Sequence, residues 1–268
     1  MAIKLVALDL DDTLLDNSLK ISQECVNTIR EVRAGGVIVT LATGRAFKSA
    51  LPYARQLDID VPLITYQGAW VKNSLSGEEL YNRPVPRDLA REVMEFFRSR
   101  DVHYHTYFND NLTIESLSEE ARYYIGIAGV EPVMVPSLVD ALDEGEALKI
   151  LAVSFAEEQL LAMESELQER FGSNLHITRS KPYFLEIMDA RATKADALQV
   201  VAGRYGIKRN EVLAVGDSYN DLAMIKWAGI GVAMGNACEE IKNLADFVTS
   251  SNEEEGVAEA LQRLILKR

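Results

Sequence analysis

A chain of 268 residues, 48% of them apolar, is long enough for one large domain or for a core with a smaller insert, and it can bury a substantial hydrophobic core. Its net charge of −13, from 41 acidic against 28 basic residues, argues against a nucleic-acid or anionic-membrane partner, either of which calls for a basic face. Cys25 and Cys238 lie far apart without metal-ligand spacing, which argues against a disulfide framework or a zinc site and favours buried, reduced thiols. The start of the chain lacks a basic stretch followed by an apolar run, and no apolar run approaches the roughly 18 residues of a membrane span, so the expectation is a cytoplasmic protein.

The first strand reads over 3–8 and runs straight into Asp9-Leu10-Asp11-Asp12-Thr13. That places three carboxylates and a hydroxyl where a parallel sheet opens to solvent. Val26, Ile29 and Val32 then recur at helical spacing until Gly35-Gly36, a stop signal, and 37–42 reads as a second buried strand ending in Thr43-Gly44-Arg45. A third strand reads over 62–66, after a segment whose Phe47, Leu51 and Tyr53 can cover the sheet.

From about Arg83 to Glu186 the rhythm changes. Helical segments carrying Val93, Phe96 and Phe97, and later Leu160, Leu167 and Phe171, alternate with strand-like stretches at 103–107, 112–114, 148–153 and 183–188. The first two stretches, joined around Asn109-Asp110-Asn111, read as a hairpin. Pro84 and Pro86 mark where the chain leaves the core.

The α/β rhythm resumes at Thr193-Lys194-Ala195-Asp196, where Thr193 and Asp196 are spaced as a capping box for a helix carrying Leu198 and Val201. Strands at 211–215 and 229–233 flank a helix around Leu222 and Ile225, and the first of them runs into Gly216-Asp217-Ser218-Tyr219-Asn220-Asp221. A solvated helix start is expected at the acidic run Glu253 to Glu255. The expected fold is α/β: a Rossmann-like parallel-sheet core of residues 1–82 and 187–268, and an inserted α+β domain of residues 83–186 with an antiparallel sheet.

Clustered carboxylates need a counter-ion. The simplest is a hard divalent cation such as Mg²⁺, which takes one or two carboxylates together with substrate phosphate oxygens. Two strand ends, at Asp9 and Asp217, carry such clusters, and Asn220 and Asp221 return to the same side through an early helical turn. Thr43-Gly44-Arg45 offers a hydroxyl, a bare backbone that an oxyanion can approach, and a guanidinium. Lys194 sets an ammonium beside the N–H groups of a helix start. Taken singly, each fits an ordinary turn or a solvated face; in this order they point to phosphate chemistry.

In the order and spacing of Asp9-Leu10-Asp11-Asp12-Thr13, Thr43-Gly44-Arg45, Lys194, and Gly216-Asp217 with Asn220-Asp221, the chain resembles the haloacid dehalogenase superfamily of aspartate-nucleophile phosphatases. Within it the match is to the Cof-type sugar phosphatases, whose α/β cap is inserted after the third core strand. The resemblance spans essentially the whole chain. It implies Asp9 as a nucleophile that forms an aspartyl-phosphate, and Asp11 as the acid and base. It further implies Mg²⁺ on Asp9, the backbone carbonyl of Asp11, and Asp217, with Asp221 in support. The Leu10 and Gly44 amides, the Thr43 hydroxyl, Lys194 and Asn220 would hold the phosphoryl oxygens.

The implied activity is Mg²⁺-dependent hydrolysis of a small phosphorylated metabolite, with sugar phosphates the expected class and the cap selecting the leaving group. Three residues depart from the pattern: Asp12 where glycine is usual, Gln67 where Asn is commoner before Gly68-Ala69, and Ala195 where glycine often follows the lysine. The alternatives are a phosphotransferase or phosphomutase of the same superfamily and a receiver-like phospho-aspartate signalling module. Repeated phosphate release into water distinguishes a hydrolase from both. His103 and His105, alternating on one strand, read as surface or cap-interior residues more readily than as ligands. The sequence does not fix an oligomeric state.

Overall fold

A computed structural model describes residues 2–268. In chain order it begins with β1 (Leu5–Leu8), α1 (Gln23–Ala34), β2 (Ile38–Leu41), α2 (Phe47–Gln56), β3 (Pro62–Thr65), β4 (Trp70–Asn73) and β5 (Glu79–Asn82). There follow α3 (Arg87–Arg98), β6 (His103–Phe108), β7 (Asn111–Ile114), α4 (Glu119–Ala128), β8 (Val133–Met134), α5 (Leu138–Ala141), β9 (Ala147–Val153), α6 (Glu157–Phe171), β10 (Leu175–Lys181) and β11 (Phe184–Asp189). The last elements are α7 (Lys194–Arg204), β12 (Val212–Gly216), α8 (Leu222–Trp227), β13 (Ile230–Ala233), α9 (Glu239–Leu244), β14 (Phe247–Val248) and α10 (Gly256–Leu261).

By its contacts the chain divides into two compact units, one of Met1–Gly44, Ala50–Tyr81 and Thr193–Arg268, the other of Arg45–Ser49 and Asn82–Ala192. The first contains a parallel sheet in the order β14-β13-β12-β1-β2, which a bridge between Ala42 and Ile64 carries on to β3. The chain moves from β1 to β2 on one side and returns through β12 on the other. The crevice between β1 and β12 is therefore the switch point, where open α/β sheets bind ligands.

β1 and β12 are buried along their whole length, as a continuous apolar run requires when both faces of a parallel strand are covered. On one face Leu198 and Val201 of α7 pack with Leu5, Ala7, Val212 and Ala214. Gly36, at φ +85°, turns the chain out of α1 where the sequence placed a stop.

The second unit is an α+β layer whose sheet runs β10-β11-β9-β6-β7-β8 and is antiparallel except at β7–β8. Asn109 and Asp110, at φ +49° and +63°, form a two-residue turn between the paired Phe108 and Asn111. This left-handed pair suits the twist of an antiparallel hairpin. Phe97, Val93, Leu160, Leu167, Ile150 and Ile187 form the unit's apolar core. β11 stays paired through Asp189, past the return expected at 187, because Leu175 of β10 lies opposite it. The Asp110 carboxylate accepts the N–H groups of Phe47 and Lys48, each at 3.0 Å, which groups 45–49 with this unit.

Two expectations are corrected. Cys25 is buried, but Cys238 is exposed, because it stands in the loop that precedes α9. The acidic run is not merely solvated, since Glu255 accepts hydrogen bonds from the Ser22 hydroxyl and, at 3.4 Å, from the Cys25 thiol. Among the described residues no helix is long and apolar enough to cross a membrane.

Phe97 is fully buried in the core of the second unit. Phe97→Ala is expected to destabilise that unit by about 3–5 kcal/mol, the usual cost of a large core cavity. Differential scanning calorimetry checks this, and an unchanged melting profile contradicts the packing described.

Candidate active site

Asp9 stands at the C-terminal end of β1, where its N–H donates to the Val215 carbonyl of β12 at 3.1 Å. The strand ladder thus fixes the first carboxylate beside the end of β12, and Asp217 follows that strand by one residue. On the other side of β1, the Ala42 N–H donates to the Leu8 carbonyl (2.8 Å) and the Thr43 N–H to the Ile64 carbonyl (2.9 Å). The Thr43-Gly44 loop is thereby held between β1 and β3. The ends of β12, β1, β2 and β3 open along one sheet edge.

Lys194 enters from α7. Thr193 caps that helix: its hydroxyl accepts the Asp196 N–H at 3.1 Å and donates to the Asp196 carboxylate at 2.7 Å. The Lys194 ammonium donates to Asp9 Oδ1 and to Asp221 Oδ1, each at 2.6 Å. Lys194 and Asp221 are fully buried and Asp9 is 5% exposed. The second Asp221 oxygen accepts the N–H groups of Asp217 (3.1 Å) and Ser218 (3.2 Å). Gly216 permits this approach, because a Cβ there would lie 2.5 Å from the Asp221 Cβ. Asp217 is oriented by the Thr13 hydroxyl on Oδ1 (2.9 Å) and the Ser218 hydroxyl on Oδ2 (2.6 Å).

Asp9, Asp217 and Asp221 each bring a carboxylate oxygen within 4.8 Å of the others. Three ionised carboxylates around one ammonium leave an excess of two negative charges. The strain shows in the proton affinities. Burial first, then the Asp221 charge, pushes Asp9 well above the usual carboxylate range; Lys194 pulls it back, while Asp217 and Asp11 add to the rise. Burial and Asp221 likewise raise Asp217 to about 6, against the opposing hydrogen bonds of Ser218 and Thr13. Burial would deprotonate Lys194, but Asp221 and Asp9 outweigh it and hold the ammonium above its ordinary value. A divalent cation matches both the donor set and the missing charge.

The profile of the haloacid dehalogenase-like hydrolases matches residues 6–261. The chain belongs to that family. It is 30% identical, over 96% of both chains, to the 5-amino-6-(5-phospho-D-ribitylamino)uracil phosphatase YitU of Bacillus subtilis. It is 33% identical to the phosphatase YcsE of the same organism, which is named for the same compound, over 98% of this chain and 96% of the relative. A haloacid dehalogenase-like hydrolase from Bacteroides thetaiotaomicron superposes with a TM-score of 0.88 at 33% identity, over 98% of this chain and 100% of the other. The Cof-type resemblance and the parallel-sheet fold read from the motifs thus hold, and the protein is an enzyme, a phosphatase of this hydrolase family.

Of the hydrolase's sequence-predicted residues, the structure gathers Asp9, Lys194 and Asp217 with Asp221. Asp11 is half-buried, and its charge reaches Asp9; Leu10, beside it, is buried. Thr43 and Gly44 meet Asn220 through Gln67: the Gln67 N–H donates to the Thr43 carbonyl (3.1 Å), and its side-chain oxygen accepts from Asn220 Nδ2 (2.9 Å). Arg45 groups with the second unit. His105 is fully buried against the Tyr124 ring, with centroids 4.2 Å apart, and its Nδ1 lies 3.3 Å from Nε2 of the partly buried His103.

The departures from the family pattern have local reasons. Asp12 takes φ +59°, the left-handed conformation that glycine usually supplies and aspartate tolerates. The Ala195 methyl joins the apolar cluster of Leu198 and Val201. Sequence reasoning gave no role to Thr13, Ser218 or Gln67. The first two were visible as hydroxyls within acidic motifs, but nothing local shows that Thr13 reaches Asp217 across 204 positions.

Because native Asp217 binds its proton up to about pH 6 and an unfolded aspartate only to about 3.8, the ion-free native state holds the extra proton in that window. Its contribution to stability is complete below 3.8 and is lost as pH rises through 6. In EDTA, wild-type stability relative to Asp217→Asn is therefore expected to fall by on the order of 2–3 kcal/mol between pH 3.8 and pH 7. Urea unfolding of both proteins across that range measures it, and a constant difference contradicts the assignment.

Proposed function

We propose that this phosphatase is Mg²⁺-dependent, acts through an aspartyl-phosphate on Asp9, and hydrolyses small phosphomonoesters of the sugar or sugar-alcohol class. The observation that carries this reading is the cluster of three carboxylates at the sheet's switch point, the buried Asp9 and Asp221 on the Lys194 ammonium and the half-buried Asp217 beside them. The substrate class is supported by the Bacillus subtilis relatives, whose names specify a phosphorylated ribitylamino-uracil.

Asp9 and Asp217, with the backbone carbonyl of Asp11, would hold the ion. Bound there, Mg²⁺ would supply charge to the phosphoryl oxygens and offset the two excess negative charges of the cluster. The Thr43 hydroxyl, the Leu10 and Gly44 amides, Lys194 and Asn220 orient the phosphoryl group and take up its developing charge. An Asp9 carboxylate oxygen then attacks phosphorus, the bond to the leaving alcohol breaks, and Asp11 gives that oxygen its proton. In the second displacement Asp11 takes a proton from water, the water oxygen attacks phosphorus, and phosphate leaves with Asp9 restored. Lys194 draws Asp9 toward the ionised form that attacks, against the burial and the Asp221 charge that favour its proton. The inserted unit is assigned the selection of the leaving group, as in the caps of the Cof-type enzymes it resembles.

With p-nitrophenyl phosphate as substrate, Asp9→Asn is expected to abolish turnover, and Asp11→Asn to lower kcat by roughly 10²–10⁴, the usual worth of a positioned acid and base. EDTA should stop the wild-type reaction and Mg²⁺ restore it. Wild-type hydrolysis by Asp9→Asn would end this reading.

A further inference from the structure

The turn that follows β3, where Gln67 departs from the family pattern, touches three of the motifs that define the site. Tyr66, Gln67 and Gly68 all have positive φ, at +52°, +59° and +104°. For the two residues with side chains this costs roughly 1–2 kcal/mol each, strain of a kind that accumulates at functional sites and persists only where the surroundings enforce it. The enforcement is visible on three sides. A Cβ on Gly68 would lie 2.2 Å from the Thr193 carbonyl oxygen, so the turn backs directly onto the start of the helix that carries Lys194. The Gln67 N–H is bonded to the Thr43 carbonyl (3.1 Å), and its side-chain Nε2 lies 2.4 Å from where a Gly44 Cβ would stand. Gln67 Oε1 accepts from Asn220 Nδ2 at 2.9 Å.

The last contact has a consequence for Asn220. Its Oδ1 is shielded from solvent and has no hydrogen-bond partner among the described residues. The bond to Gln67 is thus the side-chain anchor that fixes the carboxamide, leaving the second Nδ2 hydrogen for a ligand. Gln67 is itself 1% exposed and packed over the bare Gly44, so it has little room to relax.

We propose that Gln67 is a positioning residue of the phosphate site, holding the Asn220 carboxamide in register with the Thr43-Gly44 loop. The proposal rests on the phosphate-binding role given to Asn220 above. Gln67 touches no reacting atom. It works by denying Asn220 other orientations, which is how a small misplacement away from the chemistry becomes a large loss of rate.

The test is a double-mutant cycle on kcat/KM for p-nitrophenyl phosphate in Mg²⁺, with Gln67→Met and Asn220→Ala singly and together. Methionine keeps the length and packing of glutamine and removes the acceptor. Gln67→Met is expected to lose on the order of tenfold in the wild-type background and less than about twofold once Asn220 is alanine, since the two residues act as a unit. A merely structural role for Gln67 gives the same factor in both backgrounds and overturns the proposal, as does wild-type activity in Gln67→Met. Gln67→Asn, which suits the left-handed turn but is one methylene short of Asn220, keeps the test open if the methionine variant does not fold; it should show the same background-dependent loss, and full activity overturns the proposal. An additive cycle with Asp9→Asn inactive removes only the role of Gln67. Absence of hydrolysis by the wild-type enzyme removes the proposed function as well.

Discussion

The architecture of the site depends on one buried ion arrangement, the Lys194 ammonium held between Asp9 and Asp221 at 2.6 Å from each. Removing either partner of a buried pair leaves an uncompensated charge, which costs about 3–5 kcal/mol, so each of these residues requires the others. The arrangement also remains incomplete. With Asp217 beside it, the cluster carries more negative charge than one ammonium balances, and burial converts that excess into raised proton affinities at Asp9 and Asp217. In the proposed mechanism, the carboxylate that attacks phosphorus is drawn toward its ionised form by the lysine, and a cation would complete the balance.

The fold supplies the geometry that this pairing needs. A parallel sheet aligns the carboxyl ends of β12, β1, β2 and β3 on one edge, so residues from distant parts of the chain meet without any long loop reaching inward. Close packing does the rest: Gly216 gives Asp221 its place, Gly44 gives Gln67 its place, and Gly68 lets the strained turn rest on the Lys194 helix. Each glycine marks a close approach that a side chain there would block.

Much of this was legible in the sequence because the signals are local. Short apolar runs ending in Asp9 and Asp217 announce buried parallel strands, since only a strand covered on both faces reads as an unbroken apolar run. Asn109-Asp110 announces its hairpin, because those residues tolerate the left-handed pair that the turn requires. What stayed hidden depends on contacts across the chain. Gln67 and Asn220 are 153 positions apart, and no periodicity relates them. The exposure of Cys238 follows from where the loop before α9 lies, which composition cannot report. Asp12 looked anomalous only until its backbone angle was known.

The central claim is that the carboxylate cluster trades protons for one divalent cation. Calorimetric titration of Mg²⁺ into the metal-free protein at pH 6, in buffers of differing ionisation enthalpy, counts the protons released per ion bound. The account predicts a single bound ion that displaces a fraction of a proton or more at pH 6, and less as pH rises to 8. Binding without proton release at pH 6, or binding undiminished in Asp217→Asn, would contradict it.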